Sequence, residues 1–238
     1  MFSVVANSDR GHRLLPLLAL LLAGWAARSL EPQLGLAPSP AGSGSGSPWV
    51  ALGGLRAVAA GGFWLQANLA WERQDAAATR LLVELAVAAD ERPLSFWLNG
   101  ARMMAYDFPA WRGAGAPAAV RQKVRREEAA RALAFLEKGL ARHPARAELL
   151  IEMAGVHLRA LGDKESAARL FRQAAEQPGA PWHAARIHAE LLRELGRPAE
   201  ALAWLRQLLP HLPANDPAAR RDVVEQRIRE LESAPARR

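Results

Sequence analysis

The stretch Glu148–Gly179, ELLIEMAGVHLRALGDKESAARLFRQAAEQPG, decides the fold. Ile151, Ala154, Gly155 and Leu158 fall at i, i+3, i+4 and i+7 and form one apolar helical stripe. Ala167, Phe171 and Ala174 form a second stripe after the Gly162-Asp163 pair. Small residues where the stripes meet permit close helix approach, and Gly-Asp supplies the tight turn between them. A hairpin of this kind cannot bury its second face alone, so the pattern predicts stacked neighbours.

The following segment repeats it. Trp182–Pro213 carries Ala185, His188-Ala189, Leu192, Gly196, Ala201, Leu205 and Pro213 at matching offsets. Gly162 to Gly196 and Ala167 to Ala201 are each 34 residues apart. The two units in register resemble tetratricopeptide repeats (TPR), whose period is about 34 residues. His188 and Leu208 depart from the small or aliphatic choices of that family.

Reading outward, Ala, Leu and Arg dominate a chain of 238 residues with few β-branched runs, which predicts an all-α protein. The chain has no Cys, which excludes disulfides and thiolate metal sites. It carries 31 basic and 24 acidic residues, net charge +7. That excess fits solubility or an anionic surface better than dedicated nucleic-acid binding, and no aromatics interleave with the basic runs to stack bases.

Residues 1–30 read as a signal or membrane anchor. Arg10, His12 and Arg13 precede the apolar run Leu14–Ala27, shorter than the roughly 20 residues a spanning helix needs. Trp25 suits an interfacial anchor, and the small-x-small steps around it only approximate a cleavage site. The expectation is a single anchor in a bacterial inner membrane with the remainder on the periplasmic side. The alternative is a secreted or periplasmic chain after signal cleavage. Residues 31–48 (EPQLGLAPSPAGSGSGSP) read as a flexible linker.

Residues 49–117 read as degenerate TPR-like helices with an inserted loop, 118–213 as TPR-like repeats, and 214–238 as a capping helix and tail. Helical pattern covers Val50–Arg73, weakened by Gly53-Gly54 and Gly61-Gly62, then Ala76–Ala89 and Leu94–Tyr106. Asp107–Pro117 reads as a loop that separates Leu94–Tyr106 from its partner helix Ala118–His143. Pro217–Glu232, with Val223-Val224, Ile228 and Leu231 as its stripe, reads as a polar cap. The predicted architecture is a TPR-like helical-hairpin solenoid of about four helix pairs plus a capping helix. The layout of Gly53–Pro109 also resembles bacterial membrane-anchored TPR-like proteins; that implies anchoring and fold and no activity.

The sequence carries no nucleophile elbow, P-loop or HExxH motif. His183 and His188 are separated by about 140° around a helix, which argues against shared metal ligation. Each His reads as a structural or surface residue, and no cofactor or metal is expected. The Arg112–Arg131 segment, six basic residues with Glu127 and Glu128, reads as a solvated helix face with pairs such as Lys123–Glu127. Asn68, Asn99 and Asp107 stand out as polar residues among aromatics, and Asn99, Arg102, Tyr106 and Asp107 gather beside the predicted loop.

TPR stacks bind peptide or protein segments in a groove lined by first helices. The resemblance implies groove positions at Arg102 and Tyr106, at Glu152, Val156 and Arg159, and at Arg186, Glu190 and Arg193. Ser95, Leu98 and His183 share the same register. Four Arg against two Glu imply a partner with acidic character. The basic and asparagine pattern by which chaperone-binding TPR domains grip a peptide carboxylate is not reproduced. The expected function is therefore a non-enzymatic, membrane-tethered scaffold. The alternative is an accessory envelope protein that docks through a basic surface on membrane or cell-envelope polymer.

Overall fold

A computed structural model describes residues 48–213 and 215–233. The expected anchor and nearly all of the expected linker lie outside these residues. The described residues are helical throughout their regular elements, with no strand among them. The elements are α1 (Pro48–Glu72), α2 (Ala76–Ala89), α3 (Leu94–Arg102), α4 (Phe108–Arg112), α5 (Ala118–Arg142), α6 (Ala147–Val156), α7 (Lys164–Ala175), α8 (Trp182–Glu194), α9 (Pro198–Leu208) and α10 (Arg221–Ser233). Two π-helical turns, Met103–Asp107 and His157–Leu161, follow α3 and α6. No described helix is long and apolar enough to cross a membrane.

The chain divides into two units at Gly62–Phe63, inside α1. In the first, α1 continues unbroken through Gly54, Gly61 and Gly62, and Leu55 and Val58 are exposed. The contacts described below belong to the second unit.

The predicted turn at Gly162-Asp163 is present. Gly162 adopts φ 70°, a left-handed conformation that suits glycine, and closes the π turn after α6. Asp163 then caps α7 by accepting from the Ser166 backbone N–H at 3.0 Å. Gly196, at φ 75°, ends the α8 segment in the same way. Ala154, Ala167, Phe171 and Ala174 are all buried in one core with Leu150, Ala184 and Leu191, so α6, α7 and α8 pack in succession.

The stripe on α6 is wider than its periodicity predicts. Leu149, Met153 and Val156 are buried in a neighbouring core with Val83, Trp97, Met104, Phe108, Phe135 and Leu136. Val156, expected to line a groove, is therefore a core residue. In that core two glycines allow close crossing: a Cβ on Gly139 would meet the Trp97 ring at 3.0 Å, and one on Gly100 would meet Val83 Cγ1 at 2.5 Å.

The loop expected at Asp107–Pro117 is helical over most of its length. The π turn passes directly into α4, and only Gly113–Pro117 connects to α5. Pro109 follows directly on the π turn, whose wider loop accommodates a residue that has no N–H to donate to the preceding turn. The wider π turn lets one helix continue while Phe108 enters the core and the Asp107 carboxylate accepts from Trp71 Nε1 at 2.7 Å.

The capping helix also differs. Pro217–Ala219 is a 3-10 turn, Arg220 adopts a left-handed φ of 47°, and α10 begins only at Arg221. Val224 and Ile228 of α10 are buried with Ala189 and Leu205.

Candidate functional site

The two π turns bring four of the predicted groove residues together. Arg102 ends α3, Tyr106 lies within the first π turn, Glu152 is on α6 and Arg159 lies within the second π turn. The Glu152 side chain is only 5% exposed, whereas Arg102 and Arg159 are 54% and 58% exposed. Arg102 Nε donates to Glu152 Oε2 at 2.8 Å, and Arg102 Nη2 approaches the same oxygen at 2.7 Å. Asn99 Oδ1 lies 3.5 Å from Arg102 Nη1, one turn earlier on α3.

Arg159 completes the cluster from the other side. Its Nη2 donates to the Tyr106 hydroxyl oxygen at 2.6 Å, and its guanidinium carbon lies 5.0 Å from the Tyr106 ring centroid. The same Nη2 is 3.7 Å from Glu152 Oε1, close enough for attraction but too far for a hydrogen bond. Oε1 is buried and without a hydrogen-bond partner among the described residues. Burial raises the Tyr106 pKa, and the positive charge of Arg159 opposes the rise. The hydroxyl is accordingly protonated at neutral pH and accepts from Arg159 as a neutral group.

One buried carboxylate and one phenol thus hold two arginines whose outer donors face water. Two guanidinium charges against one carboxylate leave a net charge of +1, suited to a carboxylate ligand bound by charge-assisted, two-pronged contacts.

The other three predicted groove residues lie apart from this cluster. No hydrogen bond or ion pair joins the two groups among the described residues. Arg186 Nη1 donates to the carbonyls of Ala218 and Ala219 at 2.9 and 2.7 Å. Its neighbour His183 has its pKa lowered by burial and by the Arg186 charge. Arg193 Nε donates to Glu190 Oε1 at 3.0 Å, and Arg227 of α10 lies 3.3 Å from the other Glu190 oxygen. The hydrogen bond from Arg193 holds the Glu190 carboxyl below its usual range. These side chains fasten α8 to the C-terminal turn and to α10.

The remaining polar candidates also have local roles. Asn68 donates to the Trp64 carbonyl within α1. His143 Nε2 lies 2.8 Å from the Glu91 carbonyl, and buried His188 bonds the Ala168 carbonyl through Nδ1 at 2.8 Å. No cluster of His, Asp or Glu suited to a metal occurs among the described residues.

Sequence reasoning missed one cluster. Glu128 on α5 is fully buried and accepts from Arg80, Arg112 and Arg131. Glu127 lies 3.9 Å from Arg112, in place of the pairing expected with Lys123. The signal was available: Glu128 falls on the buried stripe Val124, Ala132 and Phe135, where a carboxylate requires partners.

Comparison with models of known protein families gives no match, and comparison with curated proteins gives none either. The functional reading rests on the residues and geometry above.

Proposed function

We propose that the chain is a membrane-tethered scaffold, a TPR-like solenoid that binds an acidic segment of a partner protein at Arg102, Tyr106, Glu152 and Arg159. One observation carries this reading: two half-exposed guanidinium groups are fixed by a single buried carboxylate and a tyrosine hydroxyl. Fixing the donors beforehand lowers the ordering cost of binding, and arginine forks match carboxylate geometry. The 34-residue register of Gly162 and Gly196, both in left-handed turns, supports the TPR-like arrangement. Tethering rests on the apolar run Leu14–Ala27.

The test is affinity capture from envelope extract by the full-length chain in neutral detergent, beside an Arg102→Glu/Arg159→Glu variant. One stoichiometric protein retained at moderate salt by the wild type, and released by the variant, is the expected result. Equal retention by the variant would remove the reading.

A second reading, docking on an anionic membrane or envelope polymer, is favoured by Lys123, Arg125 and Arg126. They are exposed on α5 and make no ion pair among the described residues. Salt separates the two, because diffuse surface attraction is screened at moderate ionic strength.

A further inference from the structure

Glu128 is held by guanidinium groups from three helices. Arg80 of α2 reaches Oε2 at 2.5 Å, Arg131 of α5 reaches Oε1 at 2.7 Å, and Arg112 at the end of α4 also bonds Oε1. Arg80 in addition lies 5.4 Å from the centroid of the buried Phe108 ring. With Glu127 beside Arg112, three cations face two carboxylates, an excess of one positive charge.

A structural role for Glu128 requires fewer cations than this. One well-placed guanidinium neutralises a buried carboxylate, and crowding three around it adds mutual repulsion. Two further features show unused binding capacity. Arg80 Nε is buried and lacks a hydrogen-bond partner among the described residues, and arginine cannot shed its proton to relieve that. Arg131 Nε and Nη2 and Arg112 Nε also make no hydrogen bond among the described residues. All three arginines retain between a quarter and a half of their side-chain exposure, so the buried carboxylate orders donors that reach solvent.

We propose that Arg80, Arg112 and Arg131, ordered by the buried Glu128, form a binding site for a phosphate-type oxyanion. A tetrahedral anion offers oxygens to more than one guanidinium fork at once, and added negative charge relieves the repulsion among the three. Glu128 is the positioning residue, and the arginines are the ligand contacts. The site shares no residue with the Arg102–Arg159 cluster and does not depend on that cluster's function.

The phosphate group can come from a free phosphate or monoester, or from the phosphodiester of a lipid headgroup. Two probes distinguish these sources: inorganic phosphate, and glycerophosphoglycerol as a headgroup without acyl chains. Each is titrated calorimetrically into the full-length chain in neutral detergent at constant ionic strength. Saturable binding of inorganic phosphate alone supports a free phosphate or monoester, and comparable binding of the diester supports a headgroup. Arg112→Gln and Arg131→Gln each leave two arginines on Glu128 and weaken binding about tenfold, the loss of one charge-assisted hydrogen bond. Arg197→Gln, whose partners are Glu165 and Glu200, leaves binding unchanged.

A variant-free readout covers poor folding of the substituted chains. In the wild type, the bound probe protects Arg112 and Arg131, but not Arg197, from a dicarbonyl arginine reagent read by mass spectrometry. Failure of both probes to bind saturably, or binding without protection of Arg112 and Arg131, overturns the proposal.

Discussion

The Arg159 guanidinium lies against the bare Cα of Gly155: a Cβ there would meet Nη2 at 2.7 Å and Nη1 at 3.1 Å. Gly155 is helical, so no unusual backbone angle calls for glycine at this position. What it supplies is room for the side chain one turn later, which places Arg159 on Tyr106. Gly155→Ala is expected to displace the flexible guanidinium tip and leave the fold intact. Alanine's helix propensity, better than glycine's by about 1 kcal/mol, offsets the crowding. The expected result is an unchanged or slightly raised Tm, together with partner capture as weak as that of Arg159→Ala. Capture equal to wild type would show that Arg159's placement against Gly155 does not matter for binding.

Glu152 and Arg102 are expected to be energetically coupled. Among the described residues Arg102 is the only hydrogen-bond donor to the Glu152 carboxylate, which is 5% exposed, and Arg102→Ala removes it at a cost of about 1–3 kcal/mol. Glu152→Gln keeps the shape and lowers the attraction to both arginines. Urea unfolding of the two single variants and the double variant gives the interaction energy. A coupling of about 1 kcal/mol or more is expected; additivity would mean that solvent already screens the pair.

The elements legible in the sequence are those set by local chemistry. Gly162 and Asp163 were readable because a left-handed glycine and a capping aspartate each act within a few residues. The stripe through Ala154, Ala167 and Phe171 was readable for the same reason. The breadth of burial on α6 was not, because helices on more than one side cover it and a single-stripe template cannot represent that. The helical stretch Asp107–Arg112 was hidden by Pro109 and Gly113, which usually interrupt helices. Here one lies in a first turn and the other just past the last. Repeat register placed Arg102, Tyr106, Glu152 and Arg159 in one groove with Arg186, Glu190 and Arg193, and revealed neither the separation of the two groups nor the burial of Glu152 beneath the arginines. Arg80 meets Glu128 across 48 residues, a pairing that periodicity cannot reveal.

Arg186 is expected to act as a latch for the C-terminal segment. Its Nη1 bonds two consecutive carbonyls before the left-handed Arg220, and Trp182 Nε1 reaches Asp216 at 3.3 Å beside it. Arg186→Ala frees both carbonyls and is expected to lower the stability of this segment by about 1–3 kcal/mol. Hydrogen exchange is the direct check: α10 amides should exchange faster while those of α6 and α7 stay protected. A uniform change across all helices would instead place Arg186 in the global folding unit.

His188 gives the protein a pH dependence whose sign follows from its surroundings. Burial holds the imidazole pKa below its usual value, and the Arg172 and Arg197 charges act in the same direction. The Ala168 carbonyl and Glu176 oppose them. In the unfolded chain the ring titrates near about 6.5. Above that pH neither state is protonated at this site and its contribution to stability is complete. As pH falls through about 6.5, the unfolded state binds a proton that the folded state resists, and stability is lost down to the folded pKa. His183, also depressed by burial, acts in the same sense, whereas Asp163, whose pKa is lowered by its bonds to Ser166, acts only below the ordinary carboxylate range. Urea midpoints at pH 7.5, 6.5 and 5.5 therefore fall in the wild type, with a slope of at most about 1.4 kcal/mol per pH unit for each histidine. His188→Gln retains a donor for the Ala168 carbonyl and should lose its own share of that slope while His183 keeps the rest. An unchanged slope in His188→Gln would mean that His188 is protonated equally in both states.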